Sequence, residues 1–196
     1  MPNPPFAYHP FQPHIFPIAI ALAAVMIALA GSDIQHLLRY ERTRIFDGEI
    51  WRVLSAHFVH LGWGHLVMNL AALGLIWGLA WRTLRISAWL VISSISMLSV
   101  SIGLLMFNPG LEWYVGLSGV LHGLLVAGIM ANLAVGHRLE IVLLLAVCGK
   151  IAWEQLYGPL PGSTEFAGGE VVVDAHFYGL LGGLVGVLPY VLSRKP

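Results

Sequence analysis

The sequence predicts an all-α integral membrane protein, a bundle of six transmembrane helices with an interfacial helical first loop. Three observations carry that expectation. Hydrophobic residues make up 58% of the 196 positions and charged residues 10%, against roughly 45–50% and 25% in ordinary soluble domains. The mean hydropathy is +0.79. Six apolar runs approach the roughly 20 residues that a helix needs to cross a hydrocarbon core about 30 Å thick. Ten acidic and ten basic side chains cannot clothe a water-soluble sphere of this size. The formal net charge of zero also excludes the basic surface that a nucleic-acid partner demands. The single cysteine, Cys148, sits in an apolar run, which excludes a disulfide framework and a Cys-based zinc site.

Residues 1–14 form a Pro-rich segment (Pro2, Pro4, Pro5, Pro10, Pro13) without the basic start of a signal peptide, so the first span is expected to be retained. Residues 15–193 are expected to be one membrane domain. Its spans are Ile15–Gly31, Gly64–Trp81, Ile86–Phe107, Leu117–Val135, Leu139–Tyr157 and Asp174–Leu192. The first loop is long, and Glu49–Phe58 reads as an amphipathic interfacial helix with Ile50, Val53, Leu54 and Phe58 on one face. Trp51 and Arg52 suit the headgroup level. Arg82, Arg85, Arg138, Arg194 and Lys195 all fall on the side shared by the two termini, and the 3–4 and 5–6 loops carry no Lys or Arg. By the positive-inside rule both termini are cytoplasmic, although Arg39, Arg42, Arg44 and Arg52 in the first loop dissent.

Polar groups inside spans are costly and mark candidate sites. His65 and Asn69 lie in the first turns of span two, Ser118 and His122 at the start of span four, and His176 at the start of span six. Even-numbered spans begin on the same, non-cytoplasmic side, so these groups share one depth. Small-xxx-small spacings let membrane helices approach closely. Gly119/Gly123 adjoin Ser118, and Gly179/Gly183 share the face of His176, while Gly182/Gly186 make a second such spacing. A close crossing of spans four and six then brings Ser118 to His176. A serine hydroxyl becomes a competent nucleophile when an imidazole accepts its proton. The Asn69 amide, a His65 ring N–H and the Ser118 backbone N–H can serve the oxyanion of acyl transfer.

With these residues in view, the chain resembles a rhomboid intramembrane serine protease. The motifs are Gly48-Glu49-Ile50-Trp51-Arg52, His65-xxx-Asn69, Gly116-Leu117-Ser118-Gly119 and Ala175-His176-xx-Gly179-xxx-Gly183. The resemblance implies a Ser118–His176 dyad, oxyanion support from His65 and Asn69, and a six-helix bundle in a bacterial inner membrane whose site opens to the periplasm. No metal or organic cofactor is implied, and the partners are the bilayer and transmembrane or C-terminally membrane-anchored protein substrates. Within the family the chain is most similar to the rhombosortases, through Gly116-Leu117-Ser118-Gly119-Val120-Leu121-His122-Gly123, Lys150-xxx-Glu154-Gln155 and Asp174-Ala175-His176. That likeness implies substrates ending in a Gly-Gly motif, a hydrophobic helix and a basic cluster. His122 departs from the family's frequent aromatic residue one turn after the nucleophile. An imidazole there can stack on His176 or form a hydrogen bond that tunes it.

Blander readings stand beside these. Ser118 can fill a gap between helices, and His65 with Asn69 can be an interhelical hydrogen-bonded pair. Asp174 precedes the sixth helix as a helix cap rather than a third catalytic member. Lys150 and Glu154, at i and i+4, neutralise each other. His57 and His60 read as surface or hydrogen-bonding groups. Two rival functions remain: a haem or metal protein using His57, His60, His65, His122 and His176, and an inactive rhomboid-like protein that binds membrane helices without cutting them.

Overall fold

The computed structural model describes residues 14–193. The prolines of the N-terminal segment, and Arg194 and Lys195, lie outside the described residues. The order is α1 (Ile15–Leu29), α2 (Ser32–Leu38), β1 (Tyr40–Glu41), α3 (Arg42–Phe46), α4 (Arg52–Ser55), a 3-10 turn (Ala56–Phe58), α5 (Trp63–Ala80), α6 (Ile86–Phe107), β2 (Trp113–Tyr114), α7 (Ser118–Ala134), α8 (Glu140–Tyr157), α9 (Ser163–Ala167) and α10 (Val173–Leu192). Each expected span corresponds to one helix, α1, α5, α6, α7, α8 or α10, with ends displaced by no more than two residues. By length and composition α5, α6 and α10 are long and apolar enough to cross a membrane. The helices α1 and α7 are apolar but shorter, and α8 contains Glu140, Lys150 and Glu154. Large apolar side chains cover the outside, among them Leu75 (77% exposed) and Leu145 (66% exposed). A water-facing surface avoids such a patch, and a hydrocarbon solvent favours it.

The helix α7 runs through the middle, its Val120, Leu124, Ala127, Ile129 and Ala131 fully enclosed. Glycines set how near its neighbours come. The backbone of Gly179 lies against the Gly119 carbonyl and that of Gly183 against the Gly123 carbonyl, so closely that neither position has room for a Cβ. The expected crossing of spans four and six is therefore present. On its other face α10 meets α6, where a Cβ on Gly182 would stand 2.7 Å from Ser96 Cα and one on Gly186 3.1 Å from Ile92 Cα. One helix thus uses two glycine faces to press against two partners. By contrast α8 buries only a stripe, Val147, Ile151 and Glu154, beside Glu140 at its start.

The first loop departs from expectation in three ways. Its 49–58 stretch is a four-residue helix followed by a 3-10 turn instead of one amphipathic helix. Ile50 and Leu54 point outward, while Arg52, Ala56 and His57 are the residues packed inward. Arg52 is thus a staple within the loop and not a headgroup anchor. Its guanidinium donates to Glu49 Oε2 at 2.7 Å, His36 O at 2.8 Å and Arg39 O at 2.9 Å. Such donors satisfy buried carbonyls that no water reaches. Trp51 stays exposed and donates through Nε1 to Leu37 O at 3.3 Å. Finally, the otherwise helical protein has a two-residue antiparallel bridge, Tyr40 opposite Tyr114 and Glu41 opposite Trp113, which ties the first loop to the segment before Ser118.

Candidate active site

Ser118 is the first residue of α7. The turn that delivers it depends on Gly116, whose φ is +128°. A Cβ there would stand 2.8 Å from His65 Cε1, so glycine meets both the backbone and the space requirement. Tyr114 Oη donates to Gly116 O at 2.9 Å, and Gly116 N–H donates to Ala56 O at 3.1 Å, which fixes the turn from two sides. At the first position of a helix the Ser118 N–H has no intrahelical acceptor, and the helix dipole presents its positive end there.

The Ser118 hydroxyl lies 3.0 Å from His176 Nε2. The two residues that the glycine spacing predicted to meet do so. His122 takes the stacked arrangement, and its hydrogen bond goes to the Ser118 carbonyl and not to His176. Its ring stacks on His176 with centroids 4.2 Å apart and planes inclined by 24°, and its Nδ1 lies 2.7 Å from Ser118 O. A carbonyl only accepts, so that nitrogen carries the proton.

His65 and Asn69 stand across from the serine on α5. Leu61 N–H donates to His65 Nδ1 at 3.4 Å, which leaves the proton of the neutral ring on Nε2. That nitrogen would stand 3.1 Å from a Cβ at Gly116, beside the turn that precedes Ser118. Asn69 is 4% exposed, and its Nδ2 has no hydrogen-bond partner among the described residues. Leaving an amide donor buried and unpaired costs about 1–3 kcal/mol. An acceptor arriving in the adjoining cavity removes that cost. This lateral cavity, about 270 Å³, is lined by Asn69, Ser118, His122, Glu154 and His176 among others. A wider outer cavity of about 560 Å³ shares His65 and Ser118 and is bounded by the 110–115 and 167–172 segments. The short helix α9 covers the lateral cavity through Ser163 and Ala167. Apolar periodicity alone does not reveal that cover.

One contact at the site goes beyond the sequence expectation. Glu154 does pair with Lys150, Nζ to Oε1 at 2.7 Å, but its other oxygen lies 2.9 Å from His176 Nδ1. A signal existed in the chain direction. Span five runs opposite to span six, so its C-terminal Glu154 reaches the level of the N-terminal His176. Asp174 is neither a helix cap nor a partner of His176. The residue preceding α10 is Val172, and the Asp174 carboxylate accepts from Asn108 Nδ2 on the adjacent loop.

His57 and His60 are buried within the first loop. His57 Nε2 lies 3.1 Å from Met97 O on α6, and His60 Nδ1 lies 3.2 Å from Phe58 O. Burial holds the His57 imidazole down at about 4, and burial together with the nearby His65 does the same for His60. The five histidines weighed as metal ligands do not converge. Among the described residues the ligand atoms that do gather, within 4.8 Å, belong to His122, Glu154 and His176. Of these, His122 has its Nδ1 turned to Ser118 O. His176 also has both nitrogens engaged by Ser118 and Glu154.

Comparison with known proteins adds one finding to this geometry. A family model, the Rhomboid domain, matches residues 47–194. No curated protein matches the chain.

Proposed function

Since this chain belongs to the rhomboid family, we propose that it is an intramembrane serine endopeptidase with Ser118 as nucleophile and His176 as general base. Rhomboid proteins are generally serine intramembrane proteases acting on transmembrane substrates within the bilayer, and the helices long enough to span mark this chain as a multi-pass membrane protein. The observation that carries the reading is the 3.0 Å approach of Ser118 Oγ to His176 Nε2 beside a largely apolar cavity. As Oγ bonds to the scissile carbonyl carbon, its proton passes to Nε2 and the carbonyl electron pair becomes an oxyanion. Asn69 Nδ2, His65 Nε2–H and the Ser118 N–H are the donors for that oxygen. The imidazolium then protonates the leaving amine, and a second nucleophile releases the acyl group. His122 holds the His176 ring from one face. This chemistry calls on no metal or organic cofactor, so a chelator is expected to leave turnover unchanged.

The architecture proposed with it is a single six-span membrane domain over residues 15–193, following a cytoplasmic segment 1–14. Both termini are cytoplasmic in a bacterial inner membrane, and the site faces the periplasm. The absence of Lys and Arg from the loops beside the outer cavity supports that orientation. Outward-pointing Ile50 and Leu54 support a first loop lying in the interface. The substrates we assign are those of a rhombosortase, proteins ending in a Gly-Gly motif, a hydrophobic helix and a basic cluster. The sequence around Ser118, Lys150-Glu154 and His176 supports this. Glycines also lower the cost of unwinding a substrate helix, by roughly 1 kcal/mol each relative to Ala.

Co-expression with a protein bearing such a tail, followed by mass spectrometry of its new C-terminus, tests the reading. Cleavage before the helix that disappears in Ser118→Ala is expected. An intact tail beside well-expressed wild-type enzyme would overturn the substrate assignment.

A further inference from the structure

We propose that Glu154 is the positioning residue of the Ser118–His176 pair, fixing the His176 tautomer and balancing its charge during turnover, with Lys150 as its own counter-ion. The inference rests on the protease reading above. The Glu154 carboxylate is 3% exposed and lies 2.9 Å from His176 Nδ1. An ionised carboxylate can only accept a hydrogen bond, so the proton of the neutral ring sits on Nδ1. The lone pair is then on Nε2, which faces the Ser118 hydroxyl at 3.0 Å. Without Glu154 the ring is free to take the other tautomer, in which Nε2 carries the proton and cannot act as a base.

Charge gives a second reason. When the Ser118 proton moves to Nε2, an imidazolium forms on a residue that is only 5% exposed, and burial disfavours the charged form. Glu154 supplies the opposite charge at hydrogen-bond distance and keeps its own ionisation throughout; no proton moves onto the carboxylate. An isolated buried carboxylate is costly, and Lys150 Nζ at 2.7 Å from Oε1 offsets that cost in the resting state. The remaining face of the ring is held by His122 at 4.2 Å. Asp174, two residues before His176 in sequence, is engaged by Asn108. The acid of this site therefore comes from α8, a helix that buries only a narrow stripe against the bundle.

The alternative to exclude is that Glu154 serves only to neutralise Lys150. Two variants in lipid nanodiscs separate the cases, Glu154→Gln and the double variant Lys150→Met/Glu154→Gln. Each is assayed for inactivation by a fluorophosphonate, resolved into the maximal rate and the half-saturating concentration. We expect both variants to lose about 10²–10⁴-fold in maximal rate with half-saturation within about twofold of wild type. Retention of the wild-type rate by Glu154→Gln, or its restoration in the double variant, would overturn the proposal. Should the single variant not fold, the double variant, which leaves no unpaired charge, decides alone. The tautomer is read independently of activity by proton NMR of histidine-labelled protein. A strongly downfield N–H resonance assigned through His176→Ala should vanish in Glu154→Gln, and its persistence would count against the proposal. Absence of Ser118-dependent labelling in wild type, with that resonance present, would instead sink the protease reading.

Discussion

Asn69 is the residue whose environment makes least sense without a ligand. The residue lines the cavity that holds Ser118, and its buried Nδ2 has no acceptor among the described residues. Under the proposed mechanism a developing oxyanion would complete its hydrogen bonding in the transition state only, which is the condition for accelerating a chemical step. Replacing Asn69 with Ala should lower kcat by about 10²–10³ while changing KM little. A kcat within about threefold of wild type in steady-state assays would show that the donor is idle. Ser118, His176, His65 and Asn69 were legible in the sequence because each sits at the start of a span and at a motif spacing that survives folding. Glu154 was not. Its i−4 neighbour Lys150 already explained it locally, and the His176 contact appears only when α8 is placed against α10 in space.

At the scale of elements, the active pair depends on how near α7 and α10 come. The Gly179 and Gly183 positions lie against carbonyls of α7, whereas Gly74 on α5 has nothing within 4 Å of its missing Cβ. Gly179→Ala should therefore force the helices apart, destabilise the protein by about 1–3 kcal/mol or more, and suppress turnover. Gly74→Ala should leave both unchanged. Thermal unfolding and activity measured together test this, and equal behaviour of the two variants would contradict the packing account. The small-residue spacing made this crossing readable beforehand. The bridge between Tyr40 and Tyr114 was not readable, since two residues are too few for any alternating pattern. Nor was the break between α4 and its 3-10 turn. There Ile50 and Leu54 face out, Val53 and Phe58 pack against the core, and Arg52 is buried beside them.

For the whole molecule, the first loop meets the bundle through neutral histidines, His57 at Met97 O of α6 and His60 with its ring edge-on to that of His65 on α5. His57 and His60 have imidazoles held at about 4 instead of 6.5. The folded state therefore binds fewer protons than the unfolded chain between those values, and stability rises with pH across that window. Their contribution is complete above about 6.5 and is lost as the pH falls toward about 4. Unfolding temperatures measured across that range should fall on acidification, and less steeply in His57→Asn; a flat profile would contradict that contribution. Hydropathy located the six long helices to within two residues, because their apolar runs stand out from the polar segments between them. It could not tell an arginine reaching for headgroups from Arg52 buried among carbonyls, since both suit the same sequence. Whether His176 activates Ser118 is read from intact mass after fluorophosphonate treatment. A single adduct is expected on wild-type protein, absent from both Ser118→Ala and His176→Ala. Labelling that survives in His176→Ala at the wild-type rate, or that persists in Ser118→Ala, would contradict it.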